Sequence, residues 1–199
     1  MGDRWGGSGP PDEAYSRVSR DLAVVTADFS RYLDELPGRL ERTHLCRVRS
    51  LSDAEVEHLH GLHPGAHDDS DSGYAVEPQG DARAVLLVSR SSFEGGAQAL
   101  FTFGLVSWAD VPDCFCDACD ADSESLIEES EDFIQMPIGG CVEFRRERRF
   151  DELPSWATPI EGTWLEEGYR TDGSFRAHSN PELRGAPFER EWLPWLTRA

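Results

Sequence analysis

A chain of 199 residues with 38 Asp plus Glu against 19 basic side chains, all of them Arg, carries a formal net charge of −19. That length suits one ordinary domain with extensions, or at most two small ones, and is enough to bury a core without staples. The charge argues against nucleic acid and anionic membrane surfaces, whose affinity comes from clustered basic groups, and it favours solubility and the attraction of a basic partner.

Residues Met1 to Asp12 are rich in Gly, Pro and charge and are expected to form a flexible tail. They hold no apolar core of a signal segment, and no apolar run reaches the ~18 residues of a membrane span. The expectation is a cytoplasmic protein whose five cysteines stay reduced. Tyr15, Val18, Leu22, Val25, Phe29, Tyr32 and Leu36 recur at spacings of three and four. That pattern predicts one face of a helix packed on a sheet, ended by Pro37-Gly38.

Thr43 to Arg49 alternates weakly and reads as a short strand. Ser52 with Glu55 predicts a capping box and a short helix that ends by His63, before Pro64. His67 to Gly80 is acidic and loop-like. Ala84 to Ser89 reads as a buried strand and Gln98 to Trp108 as a second, joined by the turn-rich Ser91–Gly96. An amphipathic helix is expected from about Ser123 to Met136. A strand, Cys141 to Phe144, then follows Gly139-Gly140. Arg145, Arg146, Arg148 and Arg149 are the basic cluster, expected to balance the acidic helix rather than to hold an anion. From Asp151 the texture changes. Trp156, Trp164, Trp192 and Trp195 stand among Pro, Gly and polar runs, as in an extension pinned to the core by indoles whose N–H stays wet.

The chemistry concentrates at Cys114, Cys116 and Cys119, a C-x-C-x-x-C run. Thiolates at these spacings share a metal when the chain turns between them, and tetrahedral zinc needs a fourth donor. Cys141 is the first candidate, followed by Cys46 and a histidine. The competing reading is three reduced, partly buried thiols at a tight turn; redox or iron–sulfur chemistry ranks below both. Asp113, Asp117 and Asp120 should raise the thiol pKa values by repulsion, and a bound dication would reverse that.

Other motifs fail on geometry. His58, His60, His63 and His67 do not share a helix face, and Pro64 interrupts them. Asp69-Ser70-Asp71-Ser72-Gly73 lacks the later ligands of a calcium loop. No phosphate-binding loop, dinucleotide fingerprint, nucleophile elbow or H-E-x-x-H run is present.

Glu13-Ala14-Tyr15-Ser16-Arg17-Val18 and Cys-x-Cys-Asp-Ala-Cys-Asp at Cys114 to Asp120 together resemble an uncharacterised bacterial domain-of-unknown-function family, number 6226. Its members pair a Tyr-Ser-Arg-Val opening with a Cys-Gly-Cys-Asp-Ala-Cys-Asp core. The resemblance spans Glu13 to Phe150. Phe115 stands where the family has Gly, which should stiffen the turn, and an Asn-Pro-Glu-Arg-Phe run after the opening is missing. The resemblance implies domain limits and no activity.

The expected fold is α+β, a mainly antiparallel sheet with two principal helices in residues 13–150, and a Trp-rich extension, 151–199, packed on it. The expected function is non-enzymatic, with no catalytic residues and a structural cysteine turn at Cys114, Cys116, Cys119 and Cys141 whose cofactor would be zinc. The alternative is an immunity- or inhibitor-type protein whose acidic surface binds a basic protein. An enzyme using the turn would need a thiol beside a base.

Overall fold

The computed structural model describes residues 10–62, 70–148, 164–171, 175–180 and 186–199. The fold is α+β. A five-stranded antiparallel sheet runs in chain order, β1 (Cys46–Ser50), β2 (Ser70–Pro78), β3 (Leu86–Phe93), β4 (Gly96–Phe103) and β5 (Ser107–Val111). A second antiparallel sheet has the order β8-β7-β6-β9, with β6 at Cys141–Arg148, β7 at Trp164–Arg170, β8 at Phe175–Asn180 and β9 at Phe188–Trp192. Its strands therefore come from both sides of Phe150. The helices are α1 (Leu22–Val25), α2 (Ala27–Thr43), α3 (Asp53–Leu62) and α4 (Ser123–Gly139).

The apolar stripe of α2 is Phe29, Leu33, Leu36 and Leu40, all buried. They meet Leu126, Phe133 and Ile134 of α4 and the inward residues Val76, Leu86, Val88, Phe101 and Phe103 of the first sheet. Each large apolar side chain so enclosed contributes roughly 1.5–3 kcal/mol over leaving it exposed. Phe133 lies at the centre of this cluster. Its ring centroid is 5.2 Å from Phe103 and 6.1 Å from Tyr169, so it touches both sheets.

The predicted first helix is divided. A 3-10 turn covers Asp12–Ser16, Tyr15 points to solvent, and regular helix begins only at Leu22. Nor does Pro37 end it. α2 passes through Pro37 to Thr43, because Leu36 and Leu40 extend the buried stripe and outweigh one missing N–H. The strand expected at Thr43 consequently starts three residues later, at Cys46. Ser52 and Glu55 form their capping box: the Ser52 amide donates to Glu55 at 2.9 Å and the Glu55 amide donates back at 3.4 Å.

The segment read as an acidic loop contains β2. Tyr74, Ala75 and Val76 are all buried, and three enclosed apolar residues override the turn formers around them. Gln98–Trp108 is two strands rather than one, with a turn through Gly104. Glu94 and Gly95 make the two-residue hairpin between β3 and β4 with φ of 49° and 83°. A turn with two positive φ values follows the strand twist and favours Gly at the second position. α4 continues three residues beyond Met136, through Pro137.

Arg145 and Arg146 pair with Glu167 and Glu166, their register partners on β7, and not with the acidic helix. The Arg148 side chain and Arg149 lie outside the described residues. Trp192 and Trp195 are buried, and their indole N–H groups donate to Glu143 at 3.0 Å and to the Ala84 carbonyl at 3.1 Å, so protein rather than water satisfies them. Trp156 and the Trp164 side chain lie outside the described residues, as do His63, His67, Asp69 and the His60 side chain. No helix among the described residues is long and apolar enough to cross a membrane.

Candidate functional site

The cysteine loop joins the end of β5 to the start of α4. Asp122 caps α4 through a capping box with Ser125, so the helix start is fixed immediately after the loop. Ser123 Oγ donates to the Val25 carbonyl at 2.6 Å and accepts from the Phe29 amide at 3.2 Å, which ties that start to the junction of α1 and α2. At the other end, Phe115 is buried and stacks on Phe93 with centroids 5.7 Å apart. Phe115 is not among the residues with positive φ. A large side chain is therefore accommodated without strain, and it anchors the loop rather than stiffening a turn.

Cys114, Cys116 and Cys119 are brought together, with their sulfurs all within 4.8 Å of one another. The Cys116 and Cys119 sulfurs are 3.4 Å apart, and the Cys116 amide donates to the Cys114 sulfur at 3.2 Å. The turn that achieves this closes when the Cys119 and Asp120 amides reach the Cys116 carbonyl at 3.2 and 3.4 Å. Cys116 is buried, Cys114 half-buried and Cys119 exposed. Three sulfurs so placed can hold a metal ion. Cys141 is not in this group: it starts β6 opposite Trp192 and lines a separate cavity of about 600 Å³. Cys46 is buried at the start of β1 near Glu41 and Arg198. Each of these two thiols is pushed up first by burial, Cys141 to about 12.

The aspartates do not act as the spacing suggested. Asp117 is completely buried, accepts from the Arg17 guanidinium at 2.8 Å and from the Ser19 amide at 2.9 Å, and these bonds hold its carboxyl well below the usual carboxylate range. Asp120 lies 3.3 Å from Arg20. What perturbs the thiols is burial and one another. Burial first, then the neighbouring sulfur of Cys116, raises Cys114 and takes Cys119 to about 12. At Cys116 burial acts in the same direction, but donation from the Cys114 thiol, the Cys119 amide and thiol and the Ala118 amide outweighs it and lowers the pKa. A bound dication would favour the thiolate form of all three.

The two sequence motifs meet here. The Asp117 amide donates to the Arg17 carbonyl at 2.7 Å and the Ala118 amide to the Ala14 carbonyl at 3.1 Å. Arg20 donates to the Ala121 carbonyl at 2.6 Å and approaches that of Cys116 at 3.5 Å. The segment Ala14–Arg20 thus grips the loop by backbone and side chain together. The single helix predicted from Tyr15 onward gave this segment no such role. The available signal was a Tyr-Ser-Arg-Val opening paired with an Asp-rich cysteine motif a hundred residues on.

No curated protein and no solved structure matches the chain. The family match extends over residues 1–199, well beyond the Glu13–Phe150 resemblance, and the chain belongs to the family described as "Family of unknown function (DUF6226)".

Proposed function

We propose that the cysteine loop is a structural zinc centre, and that the protein is a non-enzymatic, acidic cytoplasmic domain stabilised by it. The observation that carries this reading is three sulfurs within 4.8 Å at a bend that the Ala14–Arg20 segment clasps. Thiolate donors at these spacings suit zinc, and metal binding to such a loop is folding free energy. Among the described residues the group of three sulfurs includes no histidine or carboxylate that could serve as base to a nucleophilic thiol. Elemental analysis of protein purified without chelator should find about one zinc per chain. Metal-free protein with five titratable thiols and unchanged folding would sink the reading.

A second reading, an inhibitor- or immunity-type protein for a basic partner, is favoured by charge placement. Ten arginines of the described residues already lie against carboxylates. The outer face of α4 presents Glu124, Glu128, Glu129 and Asp132 to solvent. Association with a basic protein that collapses on adding salt supports this reading; capture indifferent to salt counts against it.

A further inference from the structure

The three sulfurs of the loop differ in access and in how they face one another. Cys116 is buried and Cys114 half-buried, whereas Cys119 is exposed, so a small solute meets the group at the Cys119 sulfur. The Cys116 sulfur lies 3.4 Å from it. A bend joins the two residues, with the Cys119 amide donating to the Cys116 carbonyl at 3.2 Å. The first and last residues of such a turn have Cα atoms less than about 7 Å apart, and a disulfide spans about 4.4–6.8 Å. Backbone and sulfurs are thus already set for a bond between Cys116 and Cys119. The Cys114 sulfur instead accepts from the Cys116 amide at 3.2 Å. Cys46 and Cys141 are buried outside the group.

We infer that Cys119 is a site of oxidation by hydrogen peroxide, and that Cys116 resolves it into a reversible disulfide whose formation releases the metal; this rests on the zinc reading. Coordination holds sulfur as thiolate, the form that attacks peroxide, and susceptibility then follows exposure. Cys119 is the sulfur that combines the two. In the first step its sulfur attacks one peroxide oxygen. An S–O bond forms, the O–O bond breaks, and the departing hydroxide takes a proton to become water. In the second step the Cys116 thiolate attacks the Cys119 sulfur. An S–S bond forms, the S–O bond breaks, and the hydroxide again leaves as water. Two thiolates, one hydrogen peroxide and two protons therefore give one disulfide and two waters: the peroxide gains the two electrons that the sulfur pair loses. Cys114 is then the one thiolate left in the loop, too few donors to keep the ion, and it takes up a proton as the ion departs.

The test adds one equivalent of hydrogen peroxide to the full chain loaded with Zn²⁺, with and without dimedone, which traps sulfenic acids. A chromogenic chelator follows zinc release, and alkylation with mass spectrometry maps the products. Zinc should leave in step with a chain lighter by two hydrogens, in which Cys116 is linked to Cys119 while Cys46, Cys114 and Cys141 remain open to alkylation after unfolding. Dimedone adducts should favour Cys119 over Cys114 and Cys116 by at least about tenfold. Dithiothreitol with Zn²⁺ should return the starting protein. Zinc retained at full disulfide yield, a disulfide through any other pair, adducts chiefly on Cys114 or Cys116, sulfinic acid as the main product, or no reaction overturns the inference while leaving the metal reading intact. A chain that takes up no Zn²⁺ overturns both.

Discussion

Asp117 and Glu143 are both completely buried acids, and the chain satisfies them by opposite means. Asp117 sits in the cysteine loop against a cation, Arg17, plus one backbone amide. Glu143 sits on β6, and among the described residues no cation reaches it. It accepts from the amides of Leu105, Val106 and Ser107 at 2.7–3.0 Å, from the Ser107 hydroxyl at 3.0 Å and from the Trp192 indole at 3.0 Å. Those donors belong to the β4–β5 turn and to β9. One side chain thus sews the turn of the first sheet to the second. Gly104 completes the arrangement: its φ is +66°, and a Cβ there would run into the Glu143 carboxyl. The contrast teaches that burial of an acid says little about its role. Asp117 fastens a peripheral segment to a candidate metal loop, and Glu143 joins the two sheets.

Removing Glu143 should have the largest effect. Glu143→Ala leaves three amides, the Ser107 hydroxyl and an indole N–H without their acceptor, at about 1–3 kcal/mol for each that water does not reach. The expected loss is about 4 kcal/mol of unfolding free energy, read from urea denaturation. A loss below about 1 kcal/mol would show that the sheets are held by Phe133 and its ring neighbours without this junction.

Arg17→Ala should act locally. The Arg17 side chain is itself largely exposed, but it leaves Asp117 buried with only the Ser19 amide. The core of Phe29, Leu33, Phe101 and Phe133 is untouched, so the urea midpoint should barely move. Amide exchange at Asp117 and Ala118 should accelerate at least about tenfold, with zinc retained less firmly. Acid should open the same clasp in wild-type protein. A carboxyl whose folded pKa is depressed gives its stability above the unfolded value near ~3.9 and loses it as pH falls through the folded value. Protection of these two amides lost in acid no earlier than that of the sheets would remove the distinction between the two regions.

How far these regions could be read in advance follows the range of the interactions. α4, the capping box at Ser52 and Glu55 and the cysteine bend were legible, because each is written in residues three or four apart. Family resemblance pointed to both halves of the Arg17–Asp117 contact without joining them. The Glu143 junction was invisible, since an acid alternating with Val142 and Phe144 reads as the wet face of a strand, and its donors are mostly backbone. β2 was hidden because Tyr74, Ala75 and Val76 stand among Asp, Ser and Gly. The end set at Pro37 overrated one lost hydrogen bond against Leu36 and Leu40.

A third acid grades the comparison. Asp110 on β5 is half-buried and, among the described residues, receives the Gln98 amide alone, at 3.2 Å. Burial first, then Asp113 and Glu129, raises its pKa to about 7 against the pull of Gln98. Among the described residues it has neither the cation of Asp117 nor the amide cradle of Glu143. The sign of its pH dependence is accordingly opposite to that of Asp117. The folded protein binds a proton that the unfolded chain has released between about pH 4 and 7, so stability falls as pH rises through that window and stays low above it. Asp110→Asn keeps an oxygen to accept from Gln98 and cannot ionise. It should stabilise the protein at pH 8 by about 1 kcal/mol, the solvent that Asp110 still touches screening the rest, and do nothing at pH 4. Urea midpoints of both proteins at the two pH values measure this directly. An equal gain at both would assign the effect to packing, and a loss at pH 8 would mean that the ionised Asp110 has a cationic partner stronger than Gln98.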